Sequence, residues 1–188
     1  MATTVLTLLA DGFEEIEATA PIDLLRRADA EVLVASCSED IEVTGRSKIT
    51  LCTDTLLSKI PDPLAFDLLV LPGGPAVFEL RKRPEIIDLI QSFASSGKPI
   101  GAICAAPLLL LDAGLLKAES ICTAHGSTSN ELTNLQQKLA VVQDGKIITS
   151  RGAGTAVEFG LSLIHRLYGP EKESEIRASI HADLFTSR

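Results

Sequence analysis

The sequence predicts an α/β protein, a three-layer sandwich around a mainly parallel sheet. Short apolar runs alternate with amphipathic helical stretches along the chain. The runs are nearly continuous in apolar residues, which is typical of parallel strands that helices cover on both faces. With 188 residues, of which 46% are hydrophobic, the chain can bury a sizeable core. No linker, repeat or low-complexity segment interrupts it, so we expect a single domain over residues 1–188.

The first part of the chain predicts buried strands and one long helix. The helix is expected over residues 14–28, although Pro21 should kink it or mark a turn. The stretch 48–53 is more polar, which indicates a strand in a hairpin outside the central sheet. Buried strands are expected over residues 3–9, 31–36 and 66–74, and the last of them ends in Pro72-Gly73-Gly74.

The second part of the chain continues the alternation. A helix is expected over residues 84–97, because Pro84 lies near its first turn and Gly97 just past its end. The Asp144-Gly145 pair predicts a hairpin within residues 140–150. Further strands are expected over residues 99–103 and 120–125, and further helices from about Ala105, over 154–169 and over 171–180.

Residues with potentially catalytic or ligand-binding groups follow several of these strands. They are expected at the carboxyl ends of the strands, the edge at which open α/β folds bind ligands. Cys104 lies at a strand-to-helix turn among small residues, Ala102, Ala105 and Ala106. A nucleophile at such an elbow needs small neighbours, and the N–H groups of the following helix favour a thiolate. A small cysteine buried at a strand end explains the same pattern. The residues around Cys104 leave both interpretations open.

Other candidates at this edge are also open to two interpretations. Gly73 and Gly74 allow close approach to a bound anion, but Pro-Gly-Gly also forms an ordinary turn. His125 is the one histidine at the edge, and a lone histidine is often a structural hydrogen-bonding group. Gly152 to Gly154 lacks the third fingerprint glycine and a following ribose-binding unit, so NAD binding is rejected.

Composition excludes several function classes. The net charge of −8 argues against a nucleic-acid surface, which needs a basic stripe. The apolar runs are too short to span a membrane, and the first is broken by Asp11 without a basic leader, so a cytoplasmic protein is expected. The four cysteines have no framework spacing, which predicts free thiols, and Cys122 and His125 have no second pair to complete a zinc site.

Five motifs, in one order over nearly the whole chain, resemble the ThiJ/PfpI family, and most closely the branch of the human Parkinson-disease protein (protein deglycase). They are GFEEIEA, PIDLLRRA, FDLLVLPGG, AICAAP and TSRGAGTAVEFG. The resemblance implies a flavodoxin-like fold of the class I glutamine amidotransferase type, and a homodimer. The sequence departs from the family pattern at three places. Ala153 occupies a position where the family has proline, Gly126 follows His125 where relatives often carry another residue, and a family arginine near the dimer interface aligns with either Arg46 or Ser47.

The resemblance also implies site residues. Cys104 matches the nucleophile and redox-sensitive thiol, Glu17 the glutamate that bonds this sulfur and shuttles protons, and His125 a neighbouring histidine. A protonated Glu17 would stabilise the thiolate by donating a hydrogen bond. Anion-binding groups are expected at Gly73, Gly74 and the Ala105 amide.

The implied activity is that of a cysteine-dependent, glutathione-independent glyoxalase, a glyoxalase III-like lyase or protein deglycase. It would convert α-oxoaldehydes such as methylglyoxal, or glycated groups, to hydroxy acids without metal or cofactor. The alternative is an oxidative-stress sensor or redox-regulated chaperone that acts through oxidation of Cys104.

Overall fold

Nine strands and six α-helices make up the structure, a computed structural model that describes residues 2–184. The strands are β1 (Thr4–Leu9), β2 (Glu31–Ser36), β3 (Glu42–Thr44), β4 (Thr50–Cys52), β5 (Thr55–Leu56), β6 (Leu68–Leu71), β7 (Ile100–Ile103), β8 (Val141–Asp144) and β9 (Ile147–Ser150). The helices are α1 (Glu15–Arg27), α2 (Ala76–Leu80), α3 (Pro84–Ser95), α4 (Pro107–Asp112), α5 (Ala156–Tyr168) and α6 (Pro170–Ser179).

The central sheet has seven strands in the order β5-β2-β1-β6-β7-β9-β8. Every neighbouring pair is parallel except β8 and β9, which form the antiparallel hairpin expected at Asp144-Gly145. From β1 the chain runs outward through β2 on one side, whereas β6 and β7 lie on the other side. The order therefore reverses between β1 and β6, and a crevice at the carboxyl ends of these strands is the expected ligand position.

Helices cover both faces of the sheet, which confirms the three-layer α/β prediction. Alternate residues of one strand face opposite sides: Leu6 belongs to one hydrophobic cluster and Val5 to the other. The first cluster includes Ile90 of α3 and Leu109 of α4. The second includes residues of α1, α5 and α6, such as Phe159. The single domain over residues 1–188 stays a prediction, and its ends, residue 1 and residues 185–188, lie outside the described part.

Helix α1 continues through Pro21, so the expectation of a turn there is wrong. Pro21 is buried, and a Cβ built on Gly160 of α5 would meet its Cα at 3.2 Å. Close packing of α1 on α5 at this glycine holds the helix despite the missing N–H of proline. The helix α2 was not predicted from the sequence.

The stretch 120–125 was expected to form a strand, and this is wrong. It contributes only an isolated bridge between Cys122 and Leu135. Both edges of β9 are already paired, with β7 and β8, so no place in the sheet is open beside it. The amide of Thr123 donates instead to the side chain of Thr149 (3.0 Å). The expected hairpin excursion near residues 48–53 is confirmed, because β4 pairs only with β3 in a separate two-stranded sheet.

None of the helices within residues 2–184 is long and apolar enough to cross a membrane. In the same residues, no cluster of three or more His, Cys, Asp or Glu side chains could hold a metal ion. All four cysteines are free thiols.

Candidate active site

Cys104 lies in the turn between β7 and α4 with a backbone φ of 65°. This left-handed conformation is costly for a residue with a side chain and persists only where neighbouring contacts hold it. Here the Cys104 N–H donates to Ser150 O and its carbonyl accepts from the His125 N–H, both at 2.9 Å. The strained elbow expected from the small neighbouring residues is therefore present.

Glu17, in the first turn of α1, points its carboxylate at the same turn. The residue is only 1% exposed. Its Oε2 accepts from the Gly73 N–H (3.1 Å), and its carboxyl group also bonds the Ala153 N–H and the Cys104 side chain. Glu14 caps the helix by accepting from the Glu17 N–H (2.8 Å). Residues from four distant segments thus meet around the Glu17 carboxyl group.

The titration of Glu17 and Cys104 is coupled through their contact. Burial raises the pKa of Glu17 to about 7, with a further contribution from the charge of Glu14. Burial and the Glu17 carboxylate raise the pKa of the Cys104 thiol to about 12. The N–H groups of Gly74 and Ala105 lower this pKa, but by less. These amides act in the direction expected from the sequence, but burial and the neighbouring carboxylate act against them.

The pair consequently loses its first proton near neutral pH. Glu17 is the group positioned to receive the thiol proton as the sulfur reacts. Once it has the proton, the neutral acid donates a hydrogen bond to the sulfur, which is the arrangement expected from the sequence.

The two glycines after β6 have different surroundings. A Cβ on Gly73 would lie 2.5 Å from Glu17 Oε2 and 2.6 Å from Cys104 Cβ, so a side chain there displaces the pair. Gly74 has a φ of 94°, and its N–H bonds the Cys104 sulfur together with that of Ala105. Because the Gly73 N–H is engaged by Glu17, an anion-binding role rests on Gly74 and Ala105, and it stays a prediction.

His125 is exposed, and its ring is oriented by a residue that the sequence analysis missed. Nδ1 of His125 accepts from the Ser127 N–H (3.2 Å) and lies 2.8 Å from Ser127 Oγ. The sequence did contain a signal for this contact, namely a serine two residues after the histidine. Serine side chains in turns often hydrogen-bond to groups a few residues away in the chain. The role of His125 in catalysis stays a prediction.

A cavity of about 320 Å³ brings these residues together. Five of the six expected site residues line it, and Gly73 lies behind Glu17. A cavity of about 1050 Å³ lies elsewhere, at the ends of β2 and β5, around Cys37. Burial raises the pKa of the Cys37 thiol to about 12 as well, but no carboxylate hydrogen bonds to it. Further residues that line the smaller cavity, and which the sequence analysis did not assign to the site, are Glu14, Arg46, Pro75, Phe78, Ser127 and Ala153.

Residues 3–166 match the model of the DJ-1/PfpI family. The chain belongs to the DJ-1/PfpI family. This is the ThiJ/PfpI family that the sequence motifs resemble, and the resemblance is confirmed.

Relatives of this DJ-1/PfpI protein include Protein DJ-1 homolog B of Arabidopsis thaliana, 41% identical over 171 residues, which are 89% of this chain and 39% of that protein. The chain therefore spans less than half the length of this plant relative. The Caenorhabditis elegans protein named glutathione-independent glyoxalase DJR-1.2 is 36% identical, with 87% of each chain covered. The structure of oxidized Toxoplasma gondii DJ-1 superposes with a TM-score of 0.89 at 33% identity, covering 99% of this chain and 100% of that one. The flavodoxin-like fold is thereby confirmed.

The Ala153 departure from the DJ-1/PfpI pattern has a specific consequence at Glu17. Proline has no N–H, whereas the Ala153 N–H bonds the Glu17 carboxyl group and lowers its pKa. We expect Ala153→Pro to raise the pH midpoint of Cys104 alkylation by about one unit, the equivalent of one charge-assisted hydrogen bond. The measurement is the rate of iodoacetamide labelling against pH. Ala153→Ser keeps the N–H and should retain the wild-type midpoint, and an unmoved midpoint in Ala153→Pro would contradict the assignment.

Proposed function

We propose that this protein is a cysteine-dependent, glutathione-independent glyoxalase that converts α-oxoaldehydes such as methylglyoxal to hydroxy acids. The observation that carries the proposal is the contact of the buried Glu17 with the half-buried Cys104, a pair that shares one proton at the wall of a small cavity. The relative named as a glutathione-independent glyoxalase supports the same reaction class.

The reaction begins when the Cys104 sulfur attacks the aldehyde carbon. Glu17 takes the thiol proton as the S–C bond forms, then returns it to the new alkoxide to complete a hemithioacetal. The regenerated carboxylate next removes the proton from the former aldehyde carbon and delivers it to the adjacent carbon, while the hydroxyl proton passes to the adjacent oxygen, which leaves a 2-hydroxyacyl thioester on Cys104. Water cleaves this thioester, releasing the hydroxy acid and restoring the thiol. The sum is one α-oxoaldehyde plus one water giving one hydroxy acid, without a redox partner.

The environment of the pair suits this sequence of proton transfers. A base that acts near neutral pH needs a pKa near 7, and burial places that of Glu17 at about 7. The N–H groups of Gly74 and Ala105, which bond the sulfur, stabilise negative charge there. In deglycation the oxoaldehyde is carried on an amino group as a hemiaminal: the Cys104 sulfur forms the S–C bond, the C–N bond breaks and the amine leaves with the thiol proton delivered by Glu17, after which the steps are the same.

The proposal is tested by methylglyoxal consumption and lactate formation with purified protein. Cys104→Ala removes the nucleophile and is expected to lower turnover at least about 10³-fold. Cys52→Ala is the matched control, because Cys52 is an exposed thiol outside the cavity, and it should retain wild-type turnover. Turnover that survives in Cys104→Ala would refute the proposal.

A second candidate function, oxidation sensing, is favoured by the donors around the same sulfur. The N–H groups of Gly74 and Ala105, with the acid form of Glu17, supply three hydrogen-bond donors for the oxygens of a sulfinate. Under graded hydrogen peroxide we expect two oxygens to be added first at Cys104, as read by peptide mass spectrometry. Earlier oxidation of Cys37 or Cys52 would contradict this function. The chaperone activity, the homodimer and the cytoplasmic location stay predictions.

A further inference from the structure

The imidazole of His125 is held by its own loop, and the atoms that hold it decide which ring nitrogen carries the proton. The Ser127 N–H donates to Nδ1 of His125 (3.2 Å), and a backbone N–H is a donor only. Nδ1 is therefore the unprotonated nitrogen, because a proton on it would face the proton of this N–H. The Ser127 hydroxyl, 2.8 Å from the same atom, then donates to it as well. In the neutral imidazole the proton is consequently on Nε2.

The backbone of His125 is fixed to the turn that carries the nucleophile. Its N–H donates to the Cys104 carbonyl (2.9 Å). Its own carbonyl accepts from the N–H (3.0 Å) and the hydroxyl (2.8 Å) of Thr128, a residue that is only 1% exposed. With its backbone and its Nδ1 both held, the ring keeps one orientation relative to Cys104.

The edge of the ring away from Nδ1 lies near the Cys104–Glu17 pair. A Cβ built on Gly152 would lie 4.0 Å from Cδ2 of His125, the carbon bonded to Nε2, and 3.6 Å from Oε1 of Glu17. Cys104, Glu17 and His125 also line the same cavity of about 320 Å³. The Nε2 edge of the ring and the reactive pair therefore border one small space.

We propose that Ser127 is a positioning residue that keeps His125 in the Nε2–H form, so that His125 donates a hydrogen bond to a substrate oxygen rather than acting as a base. The role toward a substrate rests on the proposed glyoxalase function, whereas the tautomer does not. As Glu17 removes the proton from the former aldehyde carbon, negative charge develops on the oxygen of the adjacent carbon, and a fixed donor stabilises it there. No proton leaves the imidazole, so the atoms of the reaction balance as before and the proton transfers stay with Glu17.

The tautomer is tested by long-range proton–nitrogen NMR spectra of protein labelled with nitrogen-15 histidine, recorded at alkaline pH. The two neutral tautomers give different patterns of ring couplings. The chain has three histidines, and the signals of His125 are those lost in His125→Gln. We expect only the Nε2–H pattern in the wild type and a mixture of both patterns in Ser127→Ala, since the longer N–H contact alone no longer holds the ring.

Two further variants separate the Ser127 hydroxyl from a general effect on the loop. Ser127→Thr keeps the hydroxyl and should restore the wild-type pattern. Ser129→Ala removes an exposed hydroxyl from the same loop without lining the cavity, and should leave the pattern unchanged. An Nδ1–H pattern in the wild type, or an unaltered pattern in Ser127→Ala, would overturn the positioning role of Ser127.

Methylglyoxal turnover tests the donor. His125→Gln supplies an amide N–H near the position of Nε2 but no base, and should keep kcat within about tenfold of the wild type, whereas His125→Leu should lower kcat about 10²-fold. Ser127→Ala should lower kcat about tenfold with KM unchanged, because the hydrogen bond is made to charge that develops in the transition state.

The turnover results also distinguish this role from the proposed function. Equal losses in His125→Gln and His125→Leu would show that His125 is a base and would overturn the donor role. If neither the wild type nor any variant turns over methylglyoxal but the tautomer depends on Ser127, the glyoxalase function fails and the positioning of His125 stands.

Discussion

Glu17→Gln is expected to lower methylglyoxal turnover about 10³-fold while making the fold more stable at pH 8 than the wild type. The amide can still accept from the Gly73 N–H and donate to the Cys104 sulfur, but it cannot take a proton. The catalytic loss therefore measures proton transfer rather than the collapse of the site.

The stability change has a definite sign and pH window. Burial raises the pKa of Glu17 from 4.5 to about 7, so the folded state binds this proton more tightly than the unfolded state. The resulting stabilisation is fully present below pH 4.5 and is lost as the pH rises through 7. A glutamine has no such loss, so between pH 5 and pH 8 the variant should gain about 2 kcal/mol on the wild type, a Tm difference of roughly 5 °C.

Thermal unfolding of both proteins at the two pH values measures this gain. Glu31→Gln removes an exposed carboxylate and is the control, with wild-type turnover and a Tm difference that is independent of pH. A Glu17→Gln protein that keeps wild-type turnover would show that Glu17 is not the proton carrier. A Tm difference that is equal at both pH values would show that Glu17 does not titrate near neutrality.

Gly73→Ala is expected to lower stability by about 3 kcal/mol and turnover by about 10²-fold. The added methyl group would lie 2.5 Å from Glu17 Oε2 and 2.6 Å from Cys104 Cβ. Since contacts this short cannot persist, the pair must separate, and a displacement near 1 Å at reacting groups is enough for such a loss.

The Gly73 prediction is checked by urea unfolding together with methylglyoxal kinetics. Gly154→Ala is the matched control, because a Cβ there meets no atom within 4 Å, and it should leave stability and turnover close to those of the wild type. If Gly73→Ala and Gly154→Ala have the same stability and turnover, the close approach of Gly73 to the Cys104–Glu17 pair does not matter for either property.

The layers and most elements of the fold were predictable because their signals are local. Nearly continuous apolar runs identified the buried strands β1, β2, β6 and β7, and Asp144-Gly145 identified the β8–β9 hairpin. The stretch 120–125 also suggested a strand, but pairing with β9 requires a free edge of that strand, and β7 and β8 occupy both. That requirement depends on which strands pair with β9, and no local pattern contains it.

Some features of the site were likewise predictable from the sequence, whereas others depend on tertiary contacts. The elbow at Cys104 was expected from its small neighbours, and the family resemblance named Glu17 as its partner. The sequence alone, however, suggested an acidic thiol, whereas burial and the Glu17 carboxylate raise the pKa of Cys104. Ser127, which orients His125, was missed, and Arg46 appeared only as one choice in an ambiguous alignment.

By itself, the sequence determined the α/β class, the edge of the sheet at which the candidate site lies, and the cysteine at its strained turn. These follow from hydrophobic pattern, turn residues and small side chains, which act over a few positions of the chain. Only the tertiary structure decided the burial of Glu17 beside Cys104, the partner of the Gly73 N–H and the place of Arg46 in the cavity wall. The physical reason is that burial and hydrogen bonding at this site come from segments far apart in the chain, as with Gly73 and Glu17, which are 56 positions apart.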